Sequence, residues 1–193
     1  MTGIFGWIGE FFLEVMQTVV FVLSIFLIVY LFIMQPHQVS GKSMFPTYEN
    51  GDYLLTDKIS FALGDPDRGD VVVFHAPDSA GCPKGTGCDF IKRVLGVPGD
   101  TIEVRDNAIW VNGTRLIEPY IPPENYTEPG SFTRGRSITL STNEYFVVGD
   151  NRPHSSDSRA WGPVTKSDIV GKVIFRYWPL KDMGPIGKIE YNI

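Results

Sequence analysis

The chain has 193 residues, 43% of them hydrophobic, and a net charge of −5 from 17 basic and 22 acidic side chains. That length allows one domain with a sizeable core, or a smaller domain with an appendage. The well-mixed, mildly acidic charge excludes the basic footprint of a nucleic-acid binder, and two cysteines fall short of a structural zinc site.

The apolar residues are unevenly spread. Residues 1–14 hold no Lys or Arg, and Ile4, Phe5, Trp7, Ile8, Phe11 and Phe12 predict an interfacial helix. Residues 15–34 carry no charge, no Gly and no Pro. As a helix this stretch is roughly 30 Å long, the thickness of a bilayer's hydrocarbon core. A buried core helix is seldom apolar on every face for that length. A cleaved signal peptide would have a basic leader and a small-residue cleavage site. Here the leader is acidic and the run ends in bulky Tyr30-Leu-Phe-Ile-Met34, so residues 15–34 are read as a retained transmembrane anchor.

Residues 35–193 have the texture of a β domain. Asp70-Val-Val-Val-Phe74 is a short apolar run, and Thr101–Arg105 alternates at period two. Ala108–Val111 and Thr114–Ile117 flank Asn112-Gly113, a strong type I′ hairpin signal. Glu144–Val148 and Gly171–Trp178 complete the predicted strands. With 20 Gly and 14 Pro, few long helices are expected. Glu118–Gly130, which holds four prolines, is expected to be a surface loop. The fold class is therefore mainly β with antiparallel sheets, after one N-terminal transmembrane helix. Cys82 and Cys88 bracket a Pro/Gly-rich turn; a disulfide pinning that loop fits better than a zinc site and points to an oxidising compartment.

Three segments carry candidate chemistry. Ser43-Met-Phe-Pro-Thr47 alone reads as a turn bearing a hydroxyl, and serine is a weak nucleophile until a base takes its proton. Lys92, among Phe90, Ile91, Val94 and Leu95, either points to water or is a buried amine. Burial penalises the ammonium and would bring its pKa down from about 10.4 into the range of a general base. Gly149–Val164 is dense in hydrogen-bonding groups and follows an apolar strand, as loops that carry function often do. A Ser-His-Asp reading through His154 and Ser155 is disfavoured, since adjacent side chains in an extended segment point opposite ways. His37 and His75 lie outside these segments.

Taken in order, these segments resemble the type I signal peptidases, membrane-anchored serine proteases of the S26 class. The resemblance rests on the anchor, Ser43-Met-Phe-Pro-Thr47, Arg68-Gly-Asp-Val-Val-Val-Phe74, Lys92-Arg-Val-Leu-Gly-Val-Pro-Gly-Asp100, and Gly149-Asp-Asn-Arg152 with Ser155, Asp157, Ser158 and Arg159. It implies Ser43 as nucleophile, Lys92 as general base, and Ser155 as the hydroxyl that hydrogen-bonds and orients the lysine amine. Arg93 with Asp150, and Asp157 with Arg159, match supporting ion pairs. One branch of the family places a serine hydroxyl two residues before the nucleophile as an oxyanion donor. This chain has Gly41 there, as in the other branch, leaving the backbone N–H of Ser43.

Val39 and Ile91, with Met44 and Phe90 nearby, match residues lining shallow pockets for small side chains at the −1 and −3 positions of a precursor, and Met44 with Phe45 match the surface that meets lipid. The implied activity is removal of signal peptides from exported precursors through an acyl-enzyme. The expected partners are those precursors, the lipid bilayer and the export translocon, with no nucleic acid. No cofactor or metal is implied. The expected location is the plasma membrane, with a single span and an extracytoplasmic catalytic domain. Within enzymes, a Ser/Lys relative that processes pilin-like precursors or cleaves itself as repressor-type proteases do is an alternative, and outside them a non-catalytic precursor-binding homologue.

Overall fold

The computed structural model describes residues 4–82 and 88–193. Helix α1, Ile4–Ile28, continues without a break into a π-helical turn, Val29–Ile33, and β1, Met34–Gln38, follows at once. The interfacial segment and the span expected on either side of residue 14 therefore form one helix. Trp7–Ile33 is long and apolar enough to cross a membrane, with mean hydropathy 2.5 and none of that window buried. The side chains of Ile4 and Phe5 lie outside the described residues. The end of this helix is tied to the residue just past the second strand, for Lys58 N–H donates to the Ile33 carbonyl at 2.9 Å. The Lys58 amine donates to the Leu31 carbonyl at 2.9 Å, where a cation suits the negative end of the helix dipole.

The remaining strands are β2 (Tyr53–Asp57), β3 (Val71–His75), β4 (Asp89–Gly96), β5 (Thr101–Arg105), β6 (Ala108–Val111), β7 (Thr114–Arg115), β8 (Ser137–Thr139), β9 (Glu144–Val148), β10 (Val164–Thr165), β11 (Ile169–Trp178) and β12 (Gly184–Pro185). Two antiparallel sheets result. The larger runs β1-β2-β11-β3-β4-β9-β10, with β12 on β11; the smaller runs β7-β6-β5-β8. Two short helices, α2 (Ser60–Leu63) and α3 (Ser158–Trp161), complete the domain.

The hairpin at Asn112-Gly113 is present, with φ of 51° and 78° as a type I′ turn requires. Its asparagine also joins the sheets: Asn112 Nδ2 donates to Asp100 Oδ1 at 2.8 Å, and Asp100 pairs with Arg68 at 2.9 Å. The apolar runs fill three clusters. Leu95, Ile109 and Phe146 pack in one, Val39, Met44, Leu54 and Val71 in a second, and Val72, Phe74 and Val147 in a third. Each fully buried side chain of this size contributes about 1.5–3 kcal/mol.

The Glu118–Gly130 segment is not the free surface loop its prolines suggest. Thr127 is buried, and the buried guanidinium of Arg152 donates to Thr127 Oγ1 at 2.7 Å and to Glu118. Cys82 and Cys88, between which the sequence suggests a disulfide, lie side by side: a side-chain hydrogen bond with Cys88 pushes the Cys82 thiol up to about 11. The turn between them lies outside the described residues.

Candidate active site

Strand β4 positions the lysine. Phe90, Lys92 and Val94 alternate with Ile91 and Arg93, so the two adjacent cations leave the strand on opposite faces. Strand β3 pairs with β4 along Asp89–Arg93, while β9 pairs with it only from Arg93 onward. The edge of β4 from Asp89 to Lys92 is thus open. The free edge of β1 faces it, with His37 Nε2 3.9 Å from Asp89 Oδ2. Between them lies a groove of about 190 Å³, walled by Gln38, Val39 and Ser40 on one side and by Asp89, Phe90, Ile91 and Lys92 on the other. Ser43 and Met44 form its floor.

Lys92 is 4% exposed, and its amine lies 2.9 Å from Ser43 Oγ and 3.0 Å from the Ile91 carbonyl. Burial draws its pKa down to about 8, against the opposing fields of Asp157 and Asp150. The corresponding penalty on the ammonium is about 3 kcal/mol, enough to make a neutral amine accessible near physiological pH.

The segment carrying Ser43 is held by its backbone. Asn151 N–H donates to the Ser43 carbonyl at 3.0 Å, and Asn151 Nδ2 donates to the Lys42 carbonyl at 2.9 Å. On the other flank, Gly41 N–H donates to Asn50 Oδ1 at 2.8 Å. That N–H is therefore engaged and not free for an oxyanion, whereas the Ser43 N–H makes no hydrogen bond among the described residues.

The loop after β9 is braced by two buried ion pairs. Arg93 grips Asp150 with Nε–Oδ1 at 2.9 Å and Nη2–Oδ2 at 2.6 Å, and Thr47 Oγ1 donates to the same carboxylate at 2.6 Å. Arg159 grips Asp157 through two 2.8 Å contacts, while Asp157 Oδ2 accepts the Gly149 N–H at 3.1 Å. Such bidentate guanidinium–carboxylate pairs fix orientation as well as charge.

All the pocket residues expected from the sequence, Val39, Met44, Phe90 and Ile91, line the groove. Two details differ. Ser155 Oγ is buried but has no hydrogen-bond partner among the described residues, so it does not hydrogen-bond the Lys92 amine, which donates to Ser43 and Ile91. Its hydroxyl packs instead on Gly149. Met44 is 1% exposed in the core and is unavailable to lipid, unlike Phe45, which is 46% exposed. His75 Nδ1 pairs with Asp89 Oδ1 at 2.7 Å, and among the described residues no histidine ring hydrogen-bonds Ser43 or Ser155.

Sequence reasoning missed Asn50, Asn151, Thr47 and Arg152. Thr47, Asn151 and Arg152 lay inside motifs already singled out without a role assigned to them, but Asn50 offered only the turn signal of Asn-Gly.

The family described as signal peptidase, peptidase S26, matches residues 12–178. Signal peptidase IB of Staphylococcus aureus (strain COL) is 33% identical over 184 residues, covering 88% of this chain and 92% of its own. The probable signal peptidase I-1 of Synechocystis sp. is also 33% identical over 184 residues, covering 94% and 90%. A crystal structure of a signal peptidase I from Enterococcus faecalis V583 aligns at 34% identity and TM-score 0.45, over 56% of this chain and 97% of its own. With the family matched across most of its length and relatives this similar covering nearly all of it, the chain belongs to the S26 signal peptidases, a family of serine peptidases.

Proposed function

We propose that this protein is a membrane-anchored endopeptidase that removes N-terminal signal peptides from exported precursors, with Ser43 as nucleophile and Lys92 as general base. The observation that carries this reading is the 2.9 Å contact between a desolvated lysine amine and a serine hydroxyl on the floor of an open groove. With the amine neutral, the same contact is used in reverse and the hydroxyl donates to nitrogen.

Ser43 Oγ attacks the carbonyl carbon of the scissile bond as its proton passes to Lys92. The tetrahedral oxyanion accepts from the Ser43 N–H. Its collapse breaks the C–N bond, and Lys92 returns the proton to the departing amine of the mature protein. An ester on Ser43 remains. Water then attacks that ester, giving a proton to Lys92. The C–O bond breaks, the proton returns to Ser43, and the signal peptide leaves as a carboxylic acid. Asp150, Arg93, Asp157 and Arg159 position the loop beside this centre.

The substrate lies extended between the open edges of β1 and β4, completing the sheet by strand addition. The modest volume among Val39, Met44, Phe90 and Ile91 suits small side chains at the −1 and −3 positions. Helix α1 holds the domain at the plasma membrane as a single span, with the domain on the extracytoplasmic side. The bilayer and the export translocon are then its neighbours.

The test is cleavage of a precursor with an Ala-x-Ala site by wild type, Ser43→Ala and Lys92→Met in detergent, read by mass spectrometry. Wild type should cut after the second alanine and both variants should not; an inert wild type, or cutting by Lys92→Met, would refute the dyad. The double variant Val39→Ala/Ile91→Ala should widen the side chains accepted at −1 and −3. Unchanged site choice would refute the pocket assignment.

A further inference from the structure

We infer that Asn50 is a positioning residue for the nucleophile, setting through Gly41 the path of the turn that presents Ser43; this rests on the peptidase reading above. Strand β1 ends at Gln38, yet the chain must still reach Ser43 in register with the groove. The β1–β2 ladder extends one step further, with Val39 N–H donating to Asp52 O at 2.8 Å and Gly51 N–H to Val39 O at 2.9 Å. There the two backbones part. The next rung is supplied by a side chain, Asn50 Oδ1, which accepts from Gly41 N–H at 2.8 Å.

Gly41 needs that rung. Its φ is +102°, in the region that favours glycine, while a Cβ built on it would meet nothing within 4 Å. Glycine is required there by torsion and not by space. An exposed glycine at the apex of a turn has the most backbone freedom to lose, so an unpinned segment samples many paths. Asn50 pins residue 41 from one side and Asn151 pins residues 42 and 43 from the other. Between these clamps the Ser43 N–H is left unbonded and the Ser43 hydroxyl meets Lys92. The carboxamide Nδ2 of Asn50 makes no hydrogen bond within the described protein, so its part in the turn is that of an acceptor.

The experiment compares full-length wild type, Asn50→Ala and Asn50→Asp in detergent. It measures kcat and KM on the Ala-x-Ala precursor, the melting temperature, and exchange of the Gly41 amide by NMR. Asp keeps the acceptor and removes the donor. Loss of the rung should lower kcat of Asn50→Ala about 10- to 100-fold, with KM within about twofold, as misplacing a reacting group does. Asn50→Asp should recover most of that loss, and both variants should melt close to wild type. Gly41 exchange should quicken in Asn50→Ala only.

Wild-type kcat in Asn50→Ala would overturn the inference, as would a loss matched by a comparable fall in melting temperature. Equal impairment of both variants would move the role to Nδ2, as a direct oxyanion donor, and would also overturn it. If wild type itself did not cut the precursor, the peptidase reading would fall and the positioning role with it. The exchange data would then show separately whether the Asn50–Gly41 bond exists.

Discussion

Asn151 is tied to Ser43 backbone to backbone, its N–H donating to the Ser43 carbonyl at 3.0 Å while its carboxamide holds the preceding carbonyl of Lys42. The two residues are 108 positions apart in the chain. The loop after β9 and the turn before Met44 are thus one mechanical unit, and Lys92 reaches into it from β4. Truncating the carboxamide should loosen Lys42 without unfolding the domain, since a single such bond contributes about 0.5–1.5 kcal/mol. Asn151→Ala is expected to lower kcat about 10- to 100-fold and leave KM nearly unchanged. Steady-state kinetics on a precursor peptide checks this; a pure KM effect would contradict it.

Gly149 sits where that unit is tightest. A Cβ there would stand 2.2 Å from Ser155 Oγ and 2.5 Å from the Ser43 carbonyl oxygen. The Ser155 hydroxyl can rotate, but Ser155 Cβ, at 2.6 Å, and the backbone carbonyl of Ser43 cannot yield that way. Gly149→Ala should therefore displace Ser43 from Lys92, lowering kcat by 100-fold or more, on the scale of about 10²-fold for a 1 Å misplacement. The measurement is precursor cleavage beside a melting curve, and activity within a few-fold of wild type would contradict the prediction.

The pH dependence follows from Lys92. Its folded pKa, about 8, is below that of the unfolded chain, so kcat/KM should climb with pH and level off above about 8 as the amine becomes neutral. Stability has the same cause. Below pH 8 both states hold the lysine proton, and the folded state bears the full cost of a buried ammonium. Between about 8 and 10.5 the unfolded chain binds more protons, so this cost fades as pH rises. Lys92→Met should accordingly be inactive yet more stable at pH 7, by up to about 3 kcal/mol less the lost hydrogen bonds. That advantage should shrink toward pH 10. Denaturant melts at pH 7 and pH 10 check it, and a Lys92→Met protein less stable at both would contradict it.

Arg93 and Asp150 are 2% and 0% exposed, so either left alone is a buried, uncompensated charge. Arg93→Ala should cost about 3–5 kcal/mol and Asp150→Ala a similar amount. Arg93→Met with Asp150→Leu should recover part of the loss, because no orphan charge remains. Chemical denaturation of the three variants measures this, and strictly additive losses would show that the pair is not coupled.

How much of this was legible varies by element. The Asn112-Gly113 hairpin was readable because turn and flanking alternation are local, and Val71–His75 because four consecutive apolar residues have one plausible use. Strands Met34–Gln38 and Tyr53–Asp57 were not, since their residues alternate only weakly and their pairing is what defines them. Ser43 and Lys92 were named from their motifs, as were the two ion pairs. The orphaned Ser155 hydroxyl and the buried Met44 departed from the family expectation, because each depends on packing by distant segments.

The sequence by itself determined the apolar helix and the β texture, which are written in residue type and short-range spacing, and its ordered motifs, through their family resemblance, pointed to a serine hydroxyl, a lysine amine and two charge pairs. Only the tertiary structure decided that β1 closes toward β4 across an open groove, that Lys92 loses its water, and that Asn50 and Asn151 grip the turn before Met44 from opposite sides. Desolvation and long-range hydrogen bonds are properties of what surrounds a residue, and those surroundings here come from segments up to about a hundred positions away.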